Sequence, residues 1–151
     1  VICCETPMKK LVVKKSIEIN APTSKVWGII ASPNTWKQWI LVVPEVENDV
    51  PLGLRRKVLW KDESGKAYLT GTVTTFEPNK RLVLDLQDIS WTRKAKPGEI
   101  TYALTLSQKD GKTHIAFMLG DLSIDPEAQQ WYDAYNESRE LEIIKKLSEN
   151  E

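Results

Sequence analysis

Two short helical stretches near the start and one long one at the end bracket a continuous series of strand-like segments. This order constrains the fold more than any single motif does. A β-branched run ending at Ile19 meets Asn20-Ala21-Pro22-Thr23-Ser24-Lys25-Val26-Trp27, then Ser32-Pro33-Asn34-Thr35-Trp36-Lys37-Gln38-Trp39. Alternating segments follow as far as Leu119, and the chain closes on a helical stretch opening at Asp125-Pro126-Glu127. Successive hairpins build an antiparallel sheet, and a lone amphipathic helix after such a sheet has only the sheet's apolar face to bury against. The expected class is α+β, a curved antiparallel sheet wrapped round a long C-terminal helix with an apolar space between them.

Local signals place the elements. Leu11-Val12-Val13 with Ile17 and Ile19 reads as the first strand. Pro22 suits the first turn of a helix, where its missing N–H is no loss, and Val26, Trp27, Ile29 and Ile30 form that helix's apolar stripe. Ser32 is expected to cap a second short helix with Pro33 at its first position, and Trp36 and Trp39, three apart, share a face. Val58 and Trp60 alternate with Lys57, Leu59 and Lys61; Asp62-Glu63-Ser64-Gly65-Lys66 is a hairpin turn, and Tyr68 to Phe76 the returning strand. Leu82, Leu84 and Leu86 form a half-buried strand, with Asp85 on its solvent side. Ile100, Tyr102, Leu104 and Leu106 give the cleanest period of two, and Asp110-Gly111 turns the chain into Ile115, Phe117 and Leu119. In the final helix Asp125 reads as the cap and Pro126 as the first position. Ala128, Trp131 and Tyr135 lie on one face, and the stripe Leu141, Ile144, Leu147 is rotated away from it, which predicts a bend or two halves.

At 151 residues the chain is sized for one domain. Lys+Arg and Asp+Glu are equal at 21 each, so no net field draws it to nucleic acid or to an anionic membrane. The basic run Arg93-Lys94-Ala95-Lys96 sits beside Pro97-Gly98 and reads as a solvated loop. No apolar run approaches the roughly 20 residues that span a bilayer. No signal peptide is visible, and a cytoplasmic location is expected. Met8-Lys9-Lys10-Leu11 looks like a bacterial start, so residues 1–7, with the adjacent Cys3 and Cys4, read as a disordered extension or expression remnant, and residues 8–151 as the single domain.

The pattern Ser16-Ile17-Glu18-Ile19-Asn20-Ala21-Pro22 with Val26-Trp27, then Ser32-Pro33 with Trp36 and Trp39, resembles the START-like, or Bet v 1-like (SRPBCC), helix-grip superfamily. More narrowly it resembles the bacterial proteins related to the C-terminal domain of the Hsp90 ATPase activator, the activator homologue-1-like (AHSA1-like) group. Gly71-Thr72-Val73, Glu77-Pro78, Arg81-Leu82 and the Leu141/Ile144/Leu147 helix extend the resemblance over residues 10–147. The chain departs from it in one place: relatives often carry a Trp about one turn before the final apolar triplet, and here the nearest aromatics are Trp131 and Tyr135. The resemblance implies a last helix held in the grip of the sheet. It also implies an apolar pocket of the kind the superfamily uses for lipids, polyketides and hormones. Fold does not choose among such tasks.

Catalytic signatures are sparse. His114, the single histidine, falls out of phase with Ile115 and Phe117 and is expected on the solvent side, so a Ser–His or Cys–His nucleophile has no base. One His and a cysteine pair supply no metal-ligand set, no Gly-rich loop precedes a helix, and no cofactor is expected. Among carboxylates, Glu47, Asp49, Asp85, Asp88 and Asp121 fall on loops or solvent faces, and spacing singles out none as an acid–base group.

The residues expected to line or gate the space are Trp39, Trp60, Tyr68, Tyr102, Phe117, Trp131 and Tyr135, with the tyrosine hydroxyls as polar anchors. The competing reading is that these rings simply fill core. The first functional expectation is a binding protein for a hydrophobic small molecule, monomeric or weakly dimeric. Burying about 200 Å² of apolar ligand would gain about 5 kcal/mol before entropic costs, which suits micromolar affinity. The second is a polyketide cyclase- or dehydratase-like enzyme, which requires an ionisable group with a strongly shifted pKa deep in the cavity. The third is an interaction module with a chaperone partner, whose binding would survive a cavity-blocking change such as Gly71→Leu.

Overall fold

The computed structural model describes residues 11–149; the expectations for residues 1–7 lie outside them. Seven strands among these residues make one antiparallel sheet: β1 (Val13–Ile19), β2 (Glu45–Val46), β3 (Lys57–Lys61), β4 (Ala67–Glu77), β5 (Arg81–Asp88), β6 (Thr101–Lys109) and β7 (Lys112–Gly120). Their order across the sheet is β1-β7-β6-β5-β4-β3-β2. Consecutive strands from β2 to β7 are hairpin neighbours, and β1 closes against β7, with Ile17 opposite Ile115. The helices α1 (Thr23–Ile30) and α2 (Trp36–Trp39) fill the long connection from β1 to β2, while α3 (Ala128–Glu137) and α4 (Glu140–Glu149) end the described chain. This is the helix-grip α+β fold.

Alternation decides which residues face the helices. Val13 and Ile19 of β1, Ile115, Phe117 and Leu119 of β7, Tyr102, Leu104 and Leu106 of β6, and Leu82, Leu84 and Leu86 of β5 all belong to the one buried core. His114 and Ala116 of β7, and Thr105 and Ser107 of β6, lie on the exposed face. The Asn20-Ala21-Pro22 corner is pinned from two sides. Asn20 donates its N–H to Glu149 (2.8 Å), and the buried Thr113 hydroxyl donates to the Ala21 carbonyl (2.7 Å). These contacts set the angle at which α1 leaves β1, and α1 in turn packs on α4. The Trp27 ring meets Phe76 edge-on at 5.3 Å.

Several local expectations are corrected. Ser32 makes no side-chain cap; Pro33–Thr35 form a 3-10 turn, and the Thr35 hydroxyl donates to the Ser32 and Ile29 carbonyls, tying the turn to the end of α1. Pro22 is the residue before α1 rather than within its first turn. Asp125 does not cap α3, which begins three residues later at Ala128. Its carboxyl is spent on a turn, accepting the Glu127 N–H and the Trp91 indole N–H, each at 2.7 Å. Asp85 is half-buried rather than open, because it accepts the Gly98 N–H from the loop above it. The C-terminal helical region is two helices, meeting at Ser138, whose ψ of 155° is extended. The sequence anticipated this break in the rotation between the two apolar stripes.

The basic loop is less free than its composition suggests. Arg93 forms a double hydrogen bond with Glu99, and Gln87 clamps Ala95 through both its amide nitrogen and its oxygen. No helix of the described residues is long and apolar enough to cross a membrane.

Candidate functional site

Where α3 stops and α4 begins, the two helices cross the sheet over β1, β6 and β7. Lys15 of β1 sits opposite Phe117 on the sheet's inner side and donates its ammonium to the Ser138 carbonyl at 2.6 Å. A carbonyl left without a helical partner at the end of α3 thereby gains a charged donor. Arg139 then supplies the first carbonyl of α4, accepting from Ile143, and Glu140 opens the helix.

Glu140 faces inward. Glu140, Leu141, Ile144 and Ser148 are the buried residues of α4, and positions 140, 144 and 148 form one line at four-residue spacing. Only 4% of Glu140 is exposed. Its Oε2 accepts the Leu41 backbone N–H at 2.9 Å, and the Tyr102 hydroxyl approaches its two oxygens at 3.3 and 3.4 Å. Burial raises the carboxyl from its ordinary 4.5 to about 7, against the opposing pull of the Leu41 and Tyr102 hydrogen bonds and the Lys15 charge. Tyr102 and Tyr135 are pushed well above the usual phenol range, first by burial and then by the negative charge of Glu140. Both hydroxyls are therefore proton donors throughout the neutral range.

Four of the seven residues expected at a ligand space form a continuous ring series beside this carboxyl. Tyr102 meets Phe117 edge-on at 5.0 Å, Phe117 stacks on Tyr135 at 6.5 Å, and Tyr135 on Trp131 at 6.1 Å. Trp39 joins from α2 and lines, with Ile40, Leu41, Ala134, Glu140 and Ile143, a cleft of about 500 Å³ open to the surface.

Trp60 and Tyr68 are placed differently. Trp60 is buried and donates its indole N–H to the Val42 carbonyl (2.8 Å), so it anchors the loop after α2. Tyr68 falls at the β3–β4 bulge, with no cross-strand partner, and lines a separate cleft of about 300 Å³ with Thr70, Gln87, Ile89 and Trp91. Its phenol is raised by desolvation, then by Asp88 and Asp62, and its charge acts on Tyr135.

Glu140 is the functional candidate that sequence reasoning missed. The signal was available: stepping back one turn from Ile144 along the predicted stripe lands on it. His114 is exposed as expected. The described residues contain no cluster of three or more His, Cys, Asp or Glu side chains able to hold a metal.

A curved antiparallel sheet gripping a C-terminal helical pair, with a polar cluster under the helix junction, defines a helix-grip protein. The chain belongs to the family described as Activator of Hsp90 ATPase homolog 1-like protein, whose profile matches residues 20–145. Solved structures agree on the fold. Protein MLL2253 from Mesorhizobium loti is 19% identical with a TM-score of 0.66, over 90% of this chain and 95% of that one. The Aha1 dimer from Colwellia psychrerythraea is 14% identical with a TM-score of 0.58, over 91% and 96%. DynU16, described as a putative protein in the dynemicin biosynthetic locus, is 15% identical with a TM-score of 0.61. There the match covers 91% of this chain but 47% of the other. A comparison with curated proteins found no match.

Proposed function

We propose that the protein binds a hydrophobic, aromatic or polycyclic small molecule in the cleft between the α3–α4 pair and the end of α2 with the loop after it. One observation carries this reading: a buried, under-bonded carboxyl, backed on its core side by Tyr102, lines an open cleft whose other walls include Trp39, Ile40, Leu41 and Ile143. Ligand sites combine apolar walls with a few placed polar groups, and both are present here. Trp39, Ile40, Leu41, Ala134 and Ile143 form the apolar wall. Tyr102 meets Glu140 from the core side, with Phe117, Tyr135 and Trp131 packed in series behind it, and Trp60 holds the loop beside the opening.

Native mass spectrometry beside a denatured control, on the wild type and on Ala134→Trp, tests the proposal. Ala134 is an exposed residue of α3 lining the cleft, so the indole fills the opening while the core is untouched. An adduct lost on denaturation and absent from the variant supports binding there. An adduct retained by the variant places binding elsewhere. If no adduct appears and a panel of polycyclic aromatics leaves the Trp39, Trp131 and Tyr135 resonances unmoved, the reading fails.

A second reading, an enzyme using Glu140 as acid–base group, has its own support. A carboxyl raised to about 7 exchanges a proton most effectively near neutral pH. It requires that Glu140→Gln abolish turnover while leaving the fold and ligand binding intact. The interaction-module reading draws on the exposed run Leu41, Val42 and Val43, each over two-fifths accessible.

A further inference from the structure

The hydrogen-bond inventory of Glu140 narrows the chemistry of what the cleft accepts. An ionised carboxylate offers about four lone-pair positions. Here one is filled at full strength, by Leu41 at 2.9 Å. The Tyr102 hydroxyl, at 3.3 and 3.4 Å from the two oxygens, is longer than the usual O–H···O range of about 2.5–3.0 Å. A side chain this buried and this sparsely bonded is costly unless a further donor reaches it. The cleft leads to it, with Trp39, Ile40, Leu41, Ala134 and Ile143 as its apolar wall and Gln38, Glu137, Ser138 and Arg139 as its polar one, the two charges there being of opposite sign.

The surroundings exclude most partners for the free acceptor positions. A ligand anion would face the carboxylate, and a ligand carbonyl would set acceptor against acceptor. An ammonium would enter beside Lys15, whose charge already acts on Glu140 and whose donor is engaged with the Ser138 carbonyl. A neutral hydroxyl suits all three constraints, since it donates one proton, adds no charge, and sits at the end of an otherwise apolar body.

We infer that the cleft selects apolar molecules carrying a neutral hydroxyl, phenolic or alcoholic, which donates its proton to the Glu140 carboxylate beside Leu41. This rests on the small-molecule reading above and specifies the head group. Glu140 is here a binding and specificity residue, and the apolar wall of Trp39, Ile40, Leu41 and Ile143 is indifferent to which hydroxylated skeleton it meets.

Two probes of one skeleton separate the head group from the body: 2-naphthol and 2-methoxynaphthalene, in which a methyl replaces the donated proton. Each is titrated into the full-length protein at pH 8, following the Leu41 amide and the Trp39 indole N–H by NMR. The naphthol is expected to bind at least about tenfold more tightly, as a hydrogen bond to a charged acceptor implies. In Glu140→Met the ratio falls to about one. Should that variant not fold, Glu140→Gln, which keeps an uncharged acceptor, is expected to lower the ratio to an intermediate value that does not change between pH 6 and 8. Equal affinities for the two probes in the wild type, or a preference for the ether, overturn the inference and leave the small-molecule reading standing. If neither probe moves the Leu41 or Trp39 signals, the small-molecule reading at this cleft fails and the inference goes with it.

Discussion

The Glu140 carboxylate accepts the Leu41 backbone N–H at 2.9 Å, tying the first residue of α4 to the loop that follows α2, 99 positions earlier in the chain. This bond joins two elements that meet nowhere in sequence. It also places an ionisable group where its charge is poorly solvated, so the group's protonation is linked to stability.

The sign follows from the two pKa values. Unfolded, the carboxyl titrates near 4.5; folded, near 7. Between those values the native state holds the extra proton, so stability falls as pH rises through the window, by about 3 kcal/mol for a shift of this size. Glu140→Gln removes this dependence. Urea denaturation at pH 5, 6.5 and 8 is expected to show the variant close to wild type at pH 5 and more stable by about 1–3 kcal/mol at pH 8. Taking the difference between the two proteins cancels the opposite trend from groups such as Glu99, which Arg93 holds down at about 2. A difference that does not vary with pH would assign the titration elsewhere.

Trp91 and Asp125 form a second long-range tie, between the loop after β5 and the turn before α3, with both side chains buried and 2.7 Å between them. Trp91→Phe keeps most of the ring volume and deletes the donor, leaving Asp125 with the Glu127 N–H alone. A loss of about 1.5–3 kcal/mol in unfolding free energy is expected, the range for a hydrogen bond to a charged acceptor. Amide exchange measures the same event locally: the Glu127 and Ala128 amides should lose protection in the variant before those of β6 do.

How far the sequence revealed all this varied with the physics behind each feature. The strands were legible because a sheet with one buried face imposes a strict period of two, and residues 100–106 and 115–119 keep it. The helix break was legible because two apolar stripes on one helix cannot both face the same sheet. Caps were not. Ser32 and Asp125 are good capping residues by type, yet the Asp125 carboxyl is taken by the Trp91 indole and the Glu127 N–H, and no local rule sees a partner 34 residues away. Glu140 escaped notice because it fell in the middle of one expected long helix, where a glutamate normally reads as part of the solvated face. Only the inward line through Ile144 and Ser148 shows that it is buried.

Gly71 faces the core between Val58 and Leu86 on the neighbouring strands, and it marks a close approach rather than an empty space. A Cβ there would stand 2.9 Å from Leu84 Cδ2, 3.3 Å from Leu84 Cβ and 3.2 Å from the Trp60 ring. Gly71→Leu, which on sequence grounds looked like a way to block a cavity, would overpack this layer instead. Gly71→Ala is expected to destabilise by about 1–3 kcal/mol, as inserted core atoms do. The displaced Trp60 should also weaken its hold on Val42, and a changed chemical shift of the Trp60 indole N–H would report it. An unchanged stability would mean that Leu84 can swing aside.

Lys15 adds a positive charge to the Leu41 and Tyr102 hydrogen bonds that favour ionised Glu140. Its ammonium is fixed on the Ser138 carbonyl at 2.6 Å and lowers the Glu140 pKa, partly offsetting the effect of burial. Lys15→Met keeps an unbranched chain of similar length under the helix junction but removes both the donor and the positive charge. Two consequences separate electrostatics from packing. The end of α3 loses its carbonyl partner, which is expected to cost about 1.5–3 kcal/mol as a lost charged hydrogen bond. Independently, Glu140 loses a favourable charge and titrates above its wild-type value of about 7, which carboxyl ¹³C NMR resolves directly. The upper end of the window in which stability falls then moves to higher pH with it. If the variant is less stable but Glu140 titrates as before, Lys15 serves only to terminate α3, and the charge opposing the burial of Glu140 must come from another group.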